Sequence, residues 1–295
     1  MDYKGYKVKE EKDRVIVENV RDFDPVHIFE CGQCFRWIRQ PDNSFTGVAR
    51  GKVANISYQD GTLVIKNSSL KDFQDIWFEY LDLGRDYGEI KALLDKDEHM
   101  KKAMEYGYGI RILKQDLWEV LISFIISANN RIPMIMKTVA AMSKLYGDEI
   151  QYDGMAYYSF PGADKLFEAG IEELEACRGG FRCKYILNTA RMVKNGEVRL
   201  EELEGMDTGK AREELMKFPG VGPKVADCVL LYSGTKQDVF PTDVWVKRVM
   251  EELYFKREAS FKEIQDFASS YFGDLAGFAQ QYLFYYAREN RIGTK

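Results

Sequence analysis

The spacing of apolar positions changes character near residue 70. Up to about residue 68, β-rich runs such as RVIVENV (14–20) and TLVIKN (62–67) are short and broken by turn residues. Asp60-Gly61, between two such runs, is the residue pair that a two-residue hairpin favours. An antiparallel sheet follows. From about residue 70 the apolar residues recur at three and four spacing in LKDFQDIWFEYL (70–81), LWEVLISFIISANN (117–130), IPMIMKTVAAMSKLYG (132–147) and KYILNTARMVKNG (184–196), a pattern that predicts amphipathic helices. No tandem repeat, low-complexity tract or long linker interrupts it. The expected class is α+β: an N-terminal antiparallel sheet domain over residues 1–110, then a mostly helical domain over residues 111–295.

Composition narrows the partners. A chain of 295 residues with 45% hydrophobic and 30% charged positions can bury a sizeable core as a globular protein. Its most apolar stretch, LISFIISA (121–128), falls short of the roughly 18 residues of a membrane span. The opening MDYKGYKVKEEKDR is charged throughout and lacks an apolar secretory core, so the expected location is cytoplasmic: nucleoid-associated in a bacterium, nuclear in a eukaryote. Five cysteines, an odd number, fit a reducing compartment better than a disulfide framework. The net charge of −5 argues against general coating of nucleic acid, so any DNA contact must be local.

One segment demands an explanation. KFPGVGPKVADCVL (217–230) places two glycines and two prolines around a turn directly before Lys224, Asp227 and Cys228, although such residues surrender entropy or a backbone donor. TGKAREELMKF (208–218) reads as a helix opened by Asp207 or Thr208, and PKVADCVLLYS (223–233) as a second helix with Pro223 at its favoured first position. Between them Gly220 and Gly222 permit positive φ and let backbone N–H groups converge outward, toward the positive end of the second helix. That combination is a phosphate seat. A nucleotide P-loop and a dinucleotide fingerprint both fail, because the glycine spacing is wrong and Val225 stands where either motif needs another residue. A plain turn between core helices is the structural alternative.

Lys224 and Cys228 fall on one helical face, and Asp243 follows in VFPTDVWVKRVMEEL (239–253), where Thr242 or Asp243 should cap a further helix. In this hairpin, lysine and following aspartate the chain resembles the helix-hairpin-helix DNA glycosylases, and among them the 8-oxoguanine DNA glycosylases. CGQCFRW (31–37), FIISANN (124–130) and GFAQQYLF (277–284) are similar to further segments of the same enzymes, in the same order. The resemblance implies a bifunctional enzyme acting as a monomer on double-stranded DNA that contains oxidised guanine. Lys224 would be the nucleophile that forms a Schiff base, Asp243 the charge beside the developing oxocarbenium sugar, and strand nicking would follow by β-elimination. A free lysine has a pKa of about 10.4, so only about one amine in 2,500 is neutral at pH 7, and Lys224 needs the helix N-terminus and desolvation to help it. Asp243 and Asp227 would oppose that help.

The resemblance also assigns the base. Gln280 would read the pairing edge, Phe284 and Cys228 would form the two walls, and the Gly32 carbonyl would accept from the N7–H that 8-oxoguanine has and guanine lacks. Asn129 would fill the hole left by the flipped base, with Arg131, Arg182, Gly220 and Gly222 among the DNA contacts; as a structural alternative, Asn129 or Asn130 caps the helix that follows. Lys184 and Lys217 complete the local basic set. Where the family has an arginine and a tyrosine for the orphaned cytosine, this chain has Met134 and Phe181, and Trp245 replaces a histidine near the phosphate. Relaxed selectivity for the opposite base is the expectation.

No metal or cofactor is expected. Cys31 and Cys34 have zinc-ligand spacing and Cys177 with Cys183 could add a pair, but the first two lie in the CGQCFRW strand and there are only two histidines. No cysteine follows Cys228 to hold the iron-sulfur cluster of some relatives. Two other readings stay open: a non-catalytic protein that uses the hairpin to grip phosphate, and an alkylated-base glycosylase, which shares the fold but usually lacks the lysine.

Overall fold

In a computed structural model that describes residues 1–293, the first 66 residues supply a seven-stranded antiparallel sheet in the order β1-β2-β3-β7-β6-β5-β4. The strands are β1 (Asp2–Tyr3), β2 (Tyr6–Glu11), β3 (Arg14–Glu18), β4 (Trp37–Arg39), β5 (Phe45–Ala49), β6 (Lys52–Gln59) and β7 (Thr62–Lys66). Asp60-Gly61 joins β6 to β7 with both residues at positive φ, the hairpin geometry expected of that pair. Register puts Val15 opposite Ile65 and Val17 opposite Leu63, so one apolar face closes over Phe73 and Trp77 of the next helical segment. A second core, of helices, begins with Tyr87–Leu94 and Glu98–Tyr106 and includes Leu121, Val229, Phe278 and Tyr282. The fold class read from the pattern is the one observed.

Two features depart from the pattern. CGQCFRW is a bent loop and not a strand: β4 begins only at Trp37, and Gly32 has φ +94. This loop crosses between the cores, burying Cys31 and Phe35 among the helices while Cys34 and Trp37 stay with the sheet. Within the helical part, a two-stranded ribbon of β8 (Glu149–Tyr152) and β9 (Met155–Tyr158) turns at Asp153-Gly154, again at positive φ. That Asp-Gly pair was the available signal for the ribbon, hidden by the helical periodicity around it. No helix among the described residues is long and apolar enough to cross a membrane.

Candidate active site

The hairpin forms as its residues require. Asp207 caps the Thr208–Met216 helix through the amide of Lys210, and Gly222 precedes Pro223 at the first position of the Pro223–Tyr232 helix. Gly220 is needed twice over, since its φ is +80 and a Cβ there would lie 2.5 Å from the Tyr185 ring. Gly222 corrects the sequence reading: its φ of −98 is extended backbone open to any residue, and a Cβ would meet nothing within 4 Å. Its value lies in the empty space before it. The Gly220 and Gly222 amides have no acceptor among the described residues, so they face outward with the helix dipole behind them. Arg212 and Asp227 tie the two helices across the turn at 2.6 Å. Burial pushes the Asp227 carboxyl up to about 6, against the pull of Arg212, so this aspartate serves the hairpin's own ion pair.

A cavity of about 370 Å³ opens beside the hairpin and brings together Gly32, Asn129, Lys224, Cys228, Asp243, Gln280 and Phe284. These residues come from stretches that span the whole chain. Lys224, in the first turn of its helix, holds Nζ 5.3 Å from the centre of the Phe124 ring. Phe124 stacks in turn on Tyr232, with ring centres 5.4 Å apart. Asp243 caps the Val244–Met250 helix by accepting from the Val246 amide at 2.8 Å through Oδ1; Oδ2 has no partner among the described residues. One carboxylate oxygen therefore stays free to face the cavity. Burial pushes the Cys228 thiol up to about 11, against the pull of the nearby Lys224 charge, so Cys228 lines the cavity as a neutral thiol.

Gln280 is 3% exposed, and its Oε1 is buried with no hydrogen-bond partner among the described residues. An unmet buried amide costs about 1–3 kcal/mol and calls for an external partner. Phe284, one turn further along the Ala276–Glu289 helix, is braced edge-on by Trp245 at 5.1 Å. The Gly32 carbonyl likewise receives no donor among the described residues. Its neighbours do: Gln281 donates to the Cys31 carbonyl at 3.3 Å, Gln115 to the Gln33 carbonyl at 2.8 Å, and Arg288 to the Glu30 carbonyl at 2.6 Å. The free carbonyl is thus fixed in place by its bonded neighbours.

The residues that the resemblance assigns to the opposite base are arranged differently. Asn129 is exposed at φ +50, a left-handed conformation that asparagine tolerates, with no side-chain hydrogen bond among the described residues. Capping is not its role: Arg131 occupies the N-cap of the Ile132–Tyr146 helix, and Asn130 bonds to the Ile126 carbonyl and the Arg131 amide. Arg182 is buried, with its guanidinium spent on the carbonyls of Ala128 and Asn129, so it holds the Asn129 loop from behind. Met134 is 38% and Phe181 57% exposed, the latter with its ring against Arg182. Arg131, Met134, Phe181, Arg182, Gly220 and Gly222 lie outside the cavity lining, on its surroundings.

Cys31 and Cys34 are core residues that donate to the Ile28 and Phe29 carbonyls, and burial raises both thiols. No group of metal-ligating side chains occurs among the described residues. Sequence reasoning missed Phe124, which sat inside a quoted segment without a role, and Gln281 and Arg288, which flank the two assigned residues of the last helix.

A sheet domain followed by a glycine hairpin that sets a lysine and an aspartate over one base-sized cavity defines a helix-hairpin-helix DNA glycosylase. The comparisons agree with that architecture. Residues 122–272 match the model of the HhH-GPD superfamily of base excision DNA repair proteins, and residues 15–121 match that of the 8-oxoguanine DNA glycosylase N-terminal domain. The chain belongs to this superfamily, in its 8-oxoguanine DNA glycosylase branch. The structure of MBOgg1 in complex with a low affinity DNA ligand is 52% identical, with a TM-score of 0.95 over 97% of this chain and 99% of that one. The Clostridium acetobutylicum 8-oxoguanine glycosylase/lyase, solved with double-stranded DNA containing cytosine opposite 8-oxoguanine, is 49% identical with a TM-score of 0.94 over the same shares. A probable N-glycosylase/DNA lyase of Methanothermobacter thermautotrophicus is 31% identical over 72% of this chain and 75% of that protein.

Proposed function

We propose that this chain excises 8-oxoguanine from duplex DNA and nicks the resulting strand. The observation that carries the reading is Gln280, which lines the same cavity as Lys224 and Asp243 and whose buried Oε1 has no hydrogen-bond partner among the described residues. The pairing edge of a base could satisfy that amide only after the base has left the duplex. Phe284 and Cys228 then flank the purine, and the free Gly32 carbonyl accepts from N7–H; guanine offers a lone pair at N7 and is repelled. The neutral amine of Lys224 attacks C1′ as the bond from C1′ to N9 breaks, and the purine leaves with the electron pair and takes a proton. Asp243 supplies negative charge beside the sugar while that bond stretches. Loss of a proton and opening of the sugar ring give the imine at C1′. Removal of a C2′ proton then expels the 3′ phosphate and nicks the strand. A single chain carries every group named, so no second subunit is required, and the work takes place wherever the DNA lies. We further propose that Met134 and Phe181 leave the opposite base loosely read, since neither offers a polar group to cytosine.

Borohydride reduction on an 8-oxoguanine duplex tests the reading. Wild type should be trapped as a covalent complex, while Lys224→Gln should lose both trapping and excision and keep duplex affinity within about threefold. Trapping that survives in Lys224→Gln would assign the chemistry to another amine. Duplex binding by wild type with neither excision nor trapping would favour a non-catalytic hairpin protein.

A further inference from the structure

Arg288 lies in the last turn of the Ala276–Glu289 helix, beyond the residues that face the base. Its Nη2 donates to the Glu30 carbonyl at 2.6 Å, spanning almost the entire sequence, and its Nε pairs with Glu289 at 2.9 Å. A Cβ on Gly32 would stand 3.5 Å from its Nη1 and 3.4 Å from the Phe284 ring. The guanidinium also sits over two rings of its own helix, 5.8 Å from the centre of Phe284 and 5.4 Å from that of Tyr285. One planar cation thus touches the loop that presents the Gly32 carbonyl and the ring that forms the facing wall. The bonds to two other carbonyls of the loop are deeply buried: Gln281, fixed by the Tyr232 hydroxyl at 2.8 Å, holds the Cys31 carbonyl, and Gln115 holds that of Gln33. Arg288 is the partly exposed member, with 26% of its side chain accessible.

We propose that Arg288 is a specificity-positioning residue, the clamp that fixes the spacing between the Gly32 carbonyl and the Phe284 ring and so tunes discrimination of 8-oxoguanine from guanine. The inference rests on the proposed reading of the base by Gly32 and Phe284. A charged donor on a carbonyl is stronger than a neutral one, and its planar fork can bond the loop while stacking on the ring, which an ammonium cannot do. Loss of the clamp leaves the gap free to widen. The carbonyl then reaches N7–H less well, and the penalty against guanine's lone pair falls with distance.

Two measurements on Arg288→Ala and Arg288→Lys separate this role from general support. Single-turnover excision of 8-oxoguanine should fall about tenfold in Arg288→Ala and recover partly in Arg288→Lys, which can bond the Glu30 carbonyl but cannot stack as a plane. With excision blocked by Lys224→Gln, the ratio of affinities for 8-oxoguanine and guanine duplexes should shrink by a similar factor when Arg288→Ala is added. Strand cleavage at a preformed abasic site, where no base is present to be read, should change less than about twofold. Abasic-site cleavage lost in parallel with excision would reduce Arg288 to a fold-stabilising residue and overturn the proposal. An unchanged affinity ratio would overturn it as well. Failure of wild type to excise 8-oxoguanine would instead remove the underlying reading of the site, so the two failures are distinguishable.

Discussion

The loop carrying Gly32 and the segment around Asn129 border the same cavity, but they are built differently. Around Gly32, the carbonyls of Glu30, Cys31 and Gln33 are each held by a polar side chain from a distant part of the chain, which leaves one acceptor free and immobile. Around Asn129, the backbone is held by Arg182, and apolar Met134 and Phe181 are exposed beside the polar side chains of Asn129 and Arg131. If the proposed roles hold, the lesion side presents a free backbone acceptor for hydrogen-bond readout, while positions 134 and 181 offer the opposite base only apolar contact. Hydrogen-bond readout rejects a wrong partner by leaving buried polar groups unpaired, whereas apolar contact discriminates weakly between bases. On the proposed reading of the site, strict choice of lesion with tolerant choice of opposite base would follow.

The hardest way to break the lesion side without touching its readers is Asp243→Asn. Asparagine caps a helix about as well as aspartate, so the melting temperature should move by less than about 2 °C. Excision should slow at least about a hundredfold, because the charge beside the sugar is gone. A single-turnover rate equal to wild type would take Asp243 out of the mechanism. The contrast itself is sharpened by giving the other side polar readers. Met134→Arg with Phe181→Tyr should raise the preference for cytosine about tenfold, measured as excision rates from four duplexes that differ only in the opposite base. A wild-type preference already that steep would mean that Asn129 or backbone groups read cytosine alone. The smallest effect belongs to the rim. Exposed Lys184 near Phe181 should contribute one phosphate contact, so Lys184→Ala should lower the log-log salt slope by about 0.9 without altering either preference. A wild-type slope steeper than about −7 would contradict so small a basic set.

Much of this was legible from residue types and spacing. Asp60-Gly61 announced its hairpin, the pairs Asp207-Thr208 and Thr242-Asp243 announced helix starts that the structure caps with the aspartate of each, and Pro223 marked the start of the lysine helix, because turns and caps depend on the few residues next to them. The linear pattern also put Lys224 and Cys228 on one face, since helical geometry is fixed by local bonding. The sequence reading erred where chemistry depends on remote partners. Arg182 reads as a surface cation but spends its charge on the Asn129 loop; Asp227 reads as a neighbour of Lys224 but is committed to Arg212; CGQCFRW reads as a strand but bends between two cores.

By itself the sequence determined the order of sheet and helices, the hairpin, the candidate nucleophile and the absence of polar groups at positions 134 and 181. Only the tertiary structure decided which polar groups remain unsatisfied. Gln280 is unpartnered while adjacent Gln281 is bonded to Cys31 and Tyr232, and the Gly32 carbonyl is free between bonded neighbours. Nothing in residue type distinguishes the two glutamines. Hydrogen bonds are short and directional, so whether a donor finds an acceptor is fixed by ångström-scale placement of segments far apart in the chain, a placement that exists only once both cores have closed.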